Sequence, residues 1–356
     1  MSAFGNEQLW ALLASRHLVE GECPARSETR APWFVRVMLG IAGWMGACFL
    51  LGFVALGFAF VIDSASASFA TGALVCAGAA LLLRKRADSD FMSQFGFAVS
   101  LAGQALMVWG WAAWFDHSRT SVALAATVQQ AVLFVVIPGF LHRVWCAGSA
   151  TGALVYALGP LGLAPYAPAC VAAVFSWIWL TELKRPELGT LRRAAGYGLA
   201  LALALVVIGS EGRFVVLFGG WGSVAPGSHV GVLSAGLVGL VLLLTAVALH
   251  VREGVALGSG RGTGALLAAG MLAFATLWAP GLAPALLILV LGFANGNRML
   301  AGFGILVLLA YLSYYYYDLQ ATLLEKSVLL AATGTLLLLV RLVLVKWAWP
   351  QETSRA

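Results

Sequence analysis

The chain has 356 residues, of which 61% are hydrophobic and only 10% charged, and its formal net charge is +6. A soluble domain carries roughly 45–50% apolar and about 25% charged residues, so this chain lacks the polar groups to cover a water-soluble globule and is too apolar to be disordered. The excess of 21 Lys and Arg over 15 Asp and Glu then reads as the basic bias of cytoplasmic loops in a polytopic membrane protein, with no nucleic-acid partner expected.

Residues 1–31 form the one sizeable polar segment, mixed and charged, with no early apolar core of the kind a cleavable signal peptide carries. Leu9, Leu12, Leu13 and His17 recur there at helical spacing and predict a short amphipathic helix over Glu7–Val19. It reads as a docked terminal helix, with attachment to the membrane surface or to a partner as alternatives. Twelve apolar runs follow, at 37–62, 69–83, 91–115, 122–141, 144–161, 165–183, 194–209, 230–250, 264–279, 282–294, 299–317 and 327–345. A spanning helix needs about 20 apolar residues. The expected fold is therefore an all-α integral membrane bundle of about twelve transmembrane helices, with ten as the alternative. The second, ninth and tenth runs are expected to be short, broken or packed on one another. His142-Arg143 reads as a tight connection and Lys184–Arg193 as a charged loop. Gly258–Gly264 reads as a loop, since it lacks the Lys-Ser/Thr ending and the preceding strand of a phosphate-binding loop.

Twelve spans place both termini on one side, and the basic residues then divide 18 to 3 in favour of that side. This predicts cytoplasmic N- and C-termini, with a cytoplasmic segment over 1–31, a membrane domain over 32–349 and a tail over 350–356. Trp33, Trp177, Trp179, Trp347 and Trp349 fall near the cytoplasmic ends of the runs, and Trp109, Trp111 and Trp114 near the outer end of the third. This is the pattern of interfacial aromatic belts. Gly148-x-x-x-Gly152 and Gly292-x-x-x-Gly296 predict close helix contacts.

Acidic residues fall in loops or within about a turn of a helix end, and no nucleophile–base or metal-ligand spacing stands out. Cys23, Cys48, Cys76, Cys146 and Cys170 form no CxxC pair and read as packing residues. No catalytic residue, metal or cofactor is expected. The strongest polar groups at mid-depth are Gln104 in the third run and Gln129 and Gln130 in the fourth. They predict an amide hydrogen bond across that hairpin, with a substrate site as the alternative. Asn295, Asn297 and Arg298 read as an interfacial turn. The outer segment Ser210–His229 reads as a surface-lying loop or a lid.

The most informative stretch runs from Tyr311 to Ser327. On a helix Tyr311, Tyr314, Tyr315 and Asp318 share one face. Thr322 and Glu325 have capping-box spacing before the last run, and Lys326 is placed to pair with Asp318 or Glu325. These residues read either as a stiff outer hairpin or as a ligand- or partner-facing surface.

Two stretches carry a resemblance. "YYYYDLQATLLEKSVLLAATG" at Tyr314–Gly334 resembles the C-terminal signature of domain-of-unknown-function family 4401, matching at Tyr315, Tyr316, Leu319, Thr322, Leu323, Leu324, Lys326 and Ser327. "APWFVRVMLGIAGWMGACFLLGF" at Ala31–Phe53 is similar to the start of that family's first helix. The resemblance would cover about residues 31–347. It implies a polytopic protein of the bacterial inner membrane, often encoded near a membrane partner with a GDYxxLxY motif, and without an established activity. Two functional classes follow: a non-enzymatic component that binds a membrane partner, or a transporter or flippase with an outward cavity near Tyr311, Tyr314, Tyr315 and Asp318.

Overall fold

The computed structural model describes residues 6–16, 19, 21, 33–57, 63–85, 90–182, 186–209, 229–254 and 260–318, together with the separate positions 324, 327, 328, 331, 335 and 338. Among them are twelve α-helices, three 3-10 turns and no strand. The helices are α1 (Asn6–Ser15), α2 (Trp33–Gly57), α3 (Ala65–Lys85), α4 (Asp90–Trp114), α5 (Arg119–Val136), α6 (Phe140–Ala157), α7 (Ala167–Leu180), α8 (Gly189–Gly209), α9 (His229–Arg252), α10 (Gly260–Ala275), α11 (Leu282–Ala294) and α12 (Arg298–Asp318). Six segments, all within or overlapping α3, α4, α5, α6, α9 and α12, are long and apolar enough to cross a membrane. This is a membrane protein by helix length and composition.

Several boundaries differ from those read off the sequence, each for a local reason. The run 122–141 hides a helix break: Pro138 has no N–H to donate and pushes the residue before it out of the helical region. Ile137 accordingly closes α5 in an extended conformation, and Gly139 opens α6 at φ 126°. His142 and Arg143 thus lie in the first turn of α6, not in a connection. The second run is not short. The small residues Ala65–Ser68 join it, giving α3 21 residues. Arg192 and Arg193 belong to the first turn of α8, not to a loop, and Gly260–Gly264 belong to α10. The ninth and tenth runs are short helices of 16 and 13 residues, as expected.

The helices fall into two groups. In the first, α3 lies along α4, α2 packs on the other side of α4, and α5 forms a hairpin with α6. In the second, α7, α8, α9 and α11 surround the main apolar core, which includes Phe175, Trp179, Leu203, Leu287, Ile288, Leu291 and Leu300. α10 packs on α9, and α12 lies along α11. The groups meet where α6 packs on α8.

Glycine makes these seams. Gly96, Gly103 and Gly110 recur every seven residues along α4 and face α3. A Cβ on Gly103 would stand 2.8 Å from Gly72 O and 2.7 Å from Cys76 Sγ. At the α6–α8 seam, a Cβ on Gly198 would stand 2.5 Å from Ala147 Cβ and 2.8 Å from Gly148 N. Gly148 therefore performs the close packing that its motif predicted. The second motif divides its labour: a Cβ on Gly292 would meet Ala301 N at 2.5 Å, whereas Gly296, at φ 63°, forms the α11–α12 turn. In a bilayer such backbone approach replaces hydrophobic collapse as the packing force.

Candidate functional site

The main polar site lies where α4, α5 and α6 meet. Gln104 is its centre and is 3% exposed. Gln130 Nε2 donates to Gln104 Oε1 at 2.9 Å, and Gln129 Nε2 donates to the Gln104 backbone carbonyl at 3.3 Å. The expected hydrogen bond between the third and fourth runs is present. Gln104 Nε2 in turn donates to Ser100 Oγ at 3.1 Å and lies 3.1 Å from His142 Nε2. Ser100 Oγ is 2.9 Å from the same ring nitrogen. An amide NH2 can only donate, so His142 Nε2 accepts and the ring proton sits on Nδ1. That nitrogen faces Cys146 Sγ, 3.5 Å away and one turn along α6. At the other end Trp111 Nε1 donates to Gln129 Oε1 at 3.0 Å.

The result is a polarised chain of hydrogen bonds from Trp111, near the C-terminal end of α4, to His142 in the first turn of α6. Gln130 Oε1 is buried and makes no hydrogen bond to a described residue. Sequence reasoning found the three glutamines and missed Ser100 and His142. The spacing His142-x-x-x-Cys146, directly after Pro138-Gly139, was the available signal. His142 and Cys146 are a base and a thiol in contact, but both are buried, and the imidazole is engaged by Ser100 and Gln104. The pair is a packed contact within the bundle. Among the described residues no group of His, Cys, Asp and Glu is arranged to hold a metal.

Two arginines close the end of this site. Arg84 Nη2, from the last turn of α3, donates to Val136 O at 3.0 Å, and Arg143 Nε donates to Phe134 O at 3.2 Å. Both cations sit at the C-terminus of α5, where backbone carbonyls lack helical partners and the helix dipole is negative.

The tyrosine face is divided. Tyr311 is 2% exposed and packs with Ala204 of α8, Ala285 of α11 and Val307. Its ring lies over Gly281, where a Cβ would collide with Tyr311 Cε2 and Cδ2. Tyr315 lies beside it, with ring centroids 6.0 Å apart and the rings tilted by 33°. Tyr314 and Tyr316 are half-buried, Tyr317 is 80% exposed, and Asp318 closes the helix. Thr322, Glu325 and Lys326 lie outside the described residues, as do positions 210–228 and most of the run 327–345.

The Asn295–Asn297 turn is a junction of several helices. Asn295 Nδ2 donates to Trp179 O of α7, and Arg252 of α9 donates to Asn295 Oδ1. Tyr197 of α8 donates to Asn297 Oδ1, which also accepts from Leu300 N and so caps α12. Trp179 departs from its expected place in a belt: it is buried between Phe175 and Tyr197, because Gly196 leaves room for its indole. Trp109, Trp114 and Trp177 are exposed, as belt residues are.

No curated protein and no solved structure matches this chain. A family model described as a domain of unknown function, DUF4401, matches residues 32–347, which takes in every described helix but α1. The chain therefore belongs to the DUF4401 family.

Proposed function

We propose that this protein is a multi-pass protein of the bacterial inner membrane, threaded twelve times with both termini in the cytoplasm. In this reading it works as a non-enzymatic component docked to a membrane partner, with a GDYxxLxY-bearing membrane protein as the candidate partner. One observation carries the choice of component over carrier. Tyr311, which would line the outward cavity of a carrier, is packed against apolar side chains of α8, α11 and α12. The aromatic and apolar groups left on the outside, including Tyr317 of α12 and Phe49, Met38 and Ile41 of α2, are available to lipid and to a partner's helices.

The test is co-expression of the full-length chain with the GDYxxLxY-bearing protein, followed by purification in mild detergent. A stoichiometric complex that weakens when Tyr317 is replaced by Ser supports the component role. Elution of the two chains apart, in several detergents and after cross-linking in intact membranes, overturns it.

The unpartnered Gln130 Oε1 favours a second reading, transport of a polar solute past the α4–α5–α6 site. In that case Gln104→Leu abolishes uptake in vesicles that still contain the folded protein, and Asp318→Asn lowers it. Under the component reading neither substitution affects solute flux.

A further inference from the structure

The two arginines at the C-terminus of α5 are held in place, but neither makes an ion pair with a described residue. The ion pairs among the described residues are Arg193 with Glu182 and Arg252 with Glu253, both elsewhere. Arg84 uses one N–H on Val136 O, and Arg143 uses one on Phe134 O. A guanidinium carries five N–H donors, so most of each fork makes no hydrogen bond to a described residue. Arg84 and its neighbour Lys85 are exposed, and Arg143 is half-buried. The carbonyls they cap both belong to the last turn of α5, so the two guanidinium groups stand at the same helix end.

The surface next to this basic cluster is apolar. Leu81, one turn deeper on α3, is exposed, as are Val132 and Val136 on α5. The inward sides of the same helices close on each other through Leu83, Leu133 and Ile137. Cations that stand at helix ends, beside an exposed aliphatic strip of Val132 and Val136 along α5 and the exposed Leu81 of α3, supply the two halves of a phospholipid site. Guanidinium forks match phosphate oxygens in geometry and charge, and exposed Leu and Val match acyl chains.

We infer that the α3–α5–α6 end binds an anionic phospholipid, with the headgroup phosphate on Arg84 and Arg143, Lys85 beside it, and an acyl chain along Leu81, Val132 and Val136. This rests on the reading of α3, α5 and α6 as spanning helices. A soluble anion would have no use for the aliphatic strip. A carboxylate side chain from a partner protein would satisfy the arginines but would give no dependence on lipid composition.

The test uses the full-length protein, extracted from membranes and reconstituted into nanodiscs of phosphatidylcholine with and without phosphatidylglycerol. Bound lipid is read by native mass spectrometry after release. The wild-type protein is expected to retain phosphatidylglycerol over phosphatidylcholine. Arg84→Gln with Arg143→Gln lowers that preference on the order of 10- to 30-fold, the effect of removing two surface cations. Arg84→Lys with Arg143→Lys keeps the charge and the helix cap, and should recover most of the preference. This separates lost binding from lost folding. Equal retention of both lipids by the wild-type protein overturns the site. So does an equal loss of preference in Arg192→Gln with Arg193→Gln, because the effect would then be bulk charge. Recovery of the chain in the soluble fraction without detergent would instead defeat the membrane reading itself.

Discussion

Gln104 places a carboxamide where three groups meet, Gln130, Ser100 and His142, and its backbone carbonyl accepts from a fourth, Gln129. A single hydrogen bond between membrane helices contributes only about 0.6 kcal/mol on average, because the separated helices find other partners in lipid. Replacing Gln104 by Leu does more than delete bonds. It strands the Gln130 amide and removes a donor from His142 in a buried site, and each buried group left unpaired costs about 1–3 kcal/mol. Gln104→Leu is therefore expected to destabilise the protein by roughly 2–4 kcal/mol. Gln129→Leu, which strands only Trp111 Nε1, should cost about 1 kcal/mol. Equilibrium unfolding in mixed micelles measures both. Equal effects would mean that the site is a set of independent pairs and not a network centred on Gln104. A cycle combining Gln104→Leu with Gln130→Leu should be less than additive, since either change breaks their shared bond. The glutamines were legible in the sequence because an amide in an apolar run has to find a partner. His142 was not, because its partners come from a helix boundary that the apolar run concealed, and Ser100 resembles any small residue of a membrane helix.

Between helices, close approach of backbones does most of the specifying. α4 meets α3 along Gly96, Gly103 and Gly110, a seven-residue period that matches a helix seam. A leucine at Gly103 would have to displace the Gly72 backbone and Cys76 together, neither of which is the free end of a long side chain. Gly103→Leu is expected to cost about 1–3 kcal/mol or more, in the range of overpacked cores, whereas Gly78→Leu on α3, where a Cβ meets nothing within 4 Å, should be close to neutral. Thermal unfolding in detergent distinguishes them, and similar losses at both positions would refute the seam. The same reasoning applies to Gly198 against Ala147 at the joint between the two helix groups. The i, i+4 glycine motifs were visible as sequence patterns. The α4 heptad was equally present but was missed, because among 41 glycines only a partner helix shows which spacing is used. The tyrosine face was visible too, since four consecutive tyrosines are conspicuous. That Tyr311, one turn before those four, turns inward depends on Gly281, in a different helix-connecting turn, and no local pattern around Tyr311 encodes that.

At the scale of the whole molecule the threading of the chain depends most on α7. Its 14 residues span about 21 Å at 1.5 Å per residue, short of a hydrocarbon core of about 30 Å. The 3-10 turn Ala164–Tyr166 directly before it adds about 6 Å. A helix that faced lipid alone would be too short, but α7 does not: Val171, Ala172, Phe175, Ile178 and Trp179 are buried in the main core against α8, α9 and α11. Packed against the longer α8 and α9, it can cross where these neighbours define the depth. This leads to a topology prediction in which the crossing of α7 decides the outcome. Asp116, in the α4–α5 turn, and Glu187, before α8, are both exposed and are separated by α5, α6 and α7. Three crossings place them on opposite sides. In a cysteine-depleted background, Asp116→Cys should react with an impermeant thiol reagent in intact spheroplasts, and Glu187→Cys only after lysis. If both react before lysis, α7 enters and leaves on one face, the parity of every later helix reverses, and the 18-to-3 division of basic residues loses its explanation. Opposite labelling would fix an odd number of crossings between Asp116 and Glu187 and leave the cationic end of α3, α5 and α6 facing the cytoplasm, where anionic headgroups and positive loops meet.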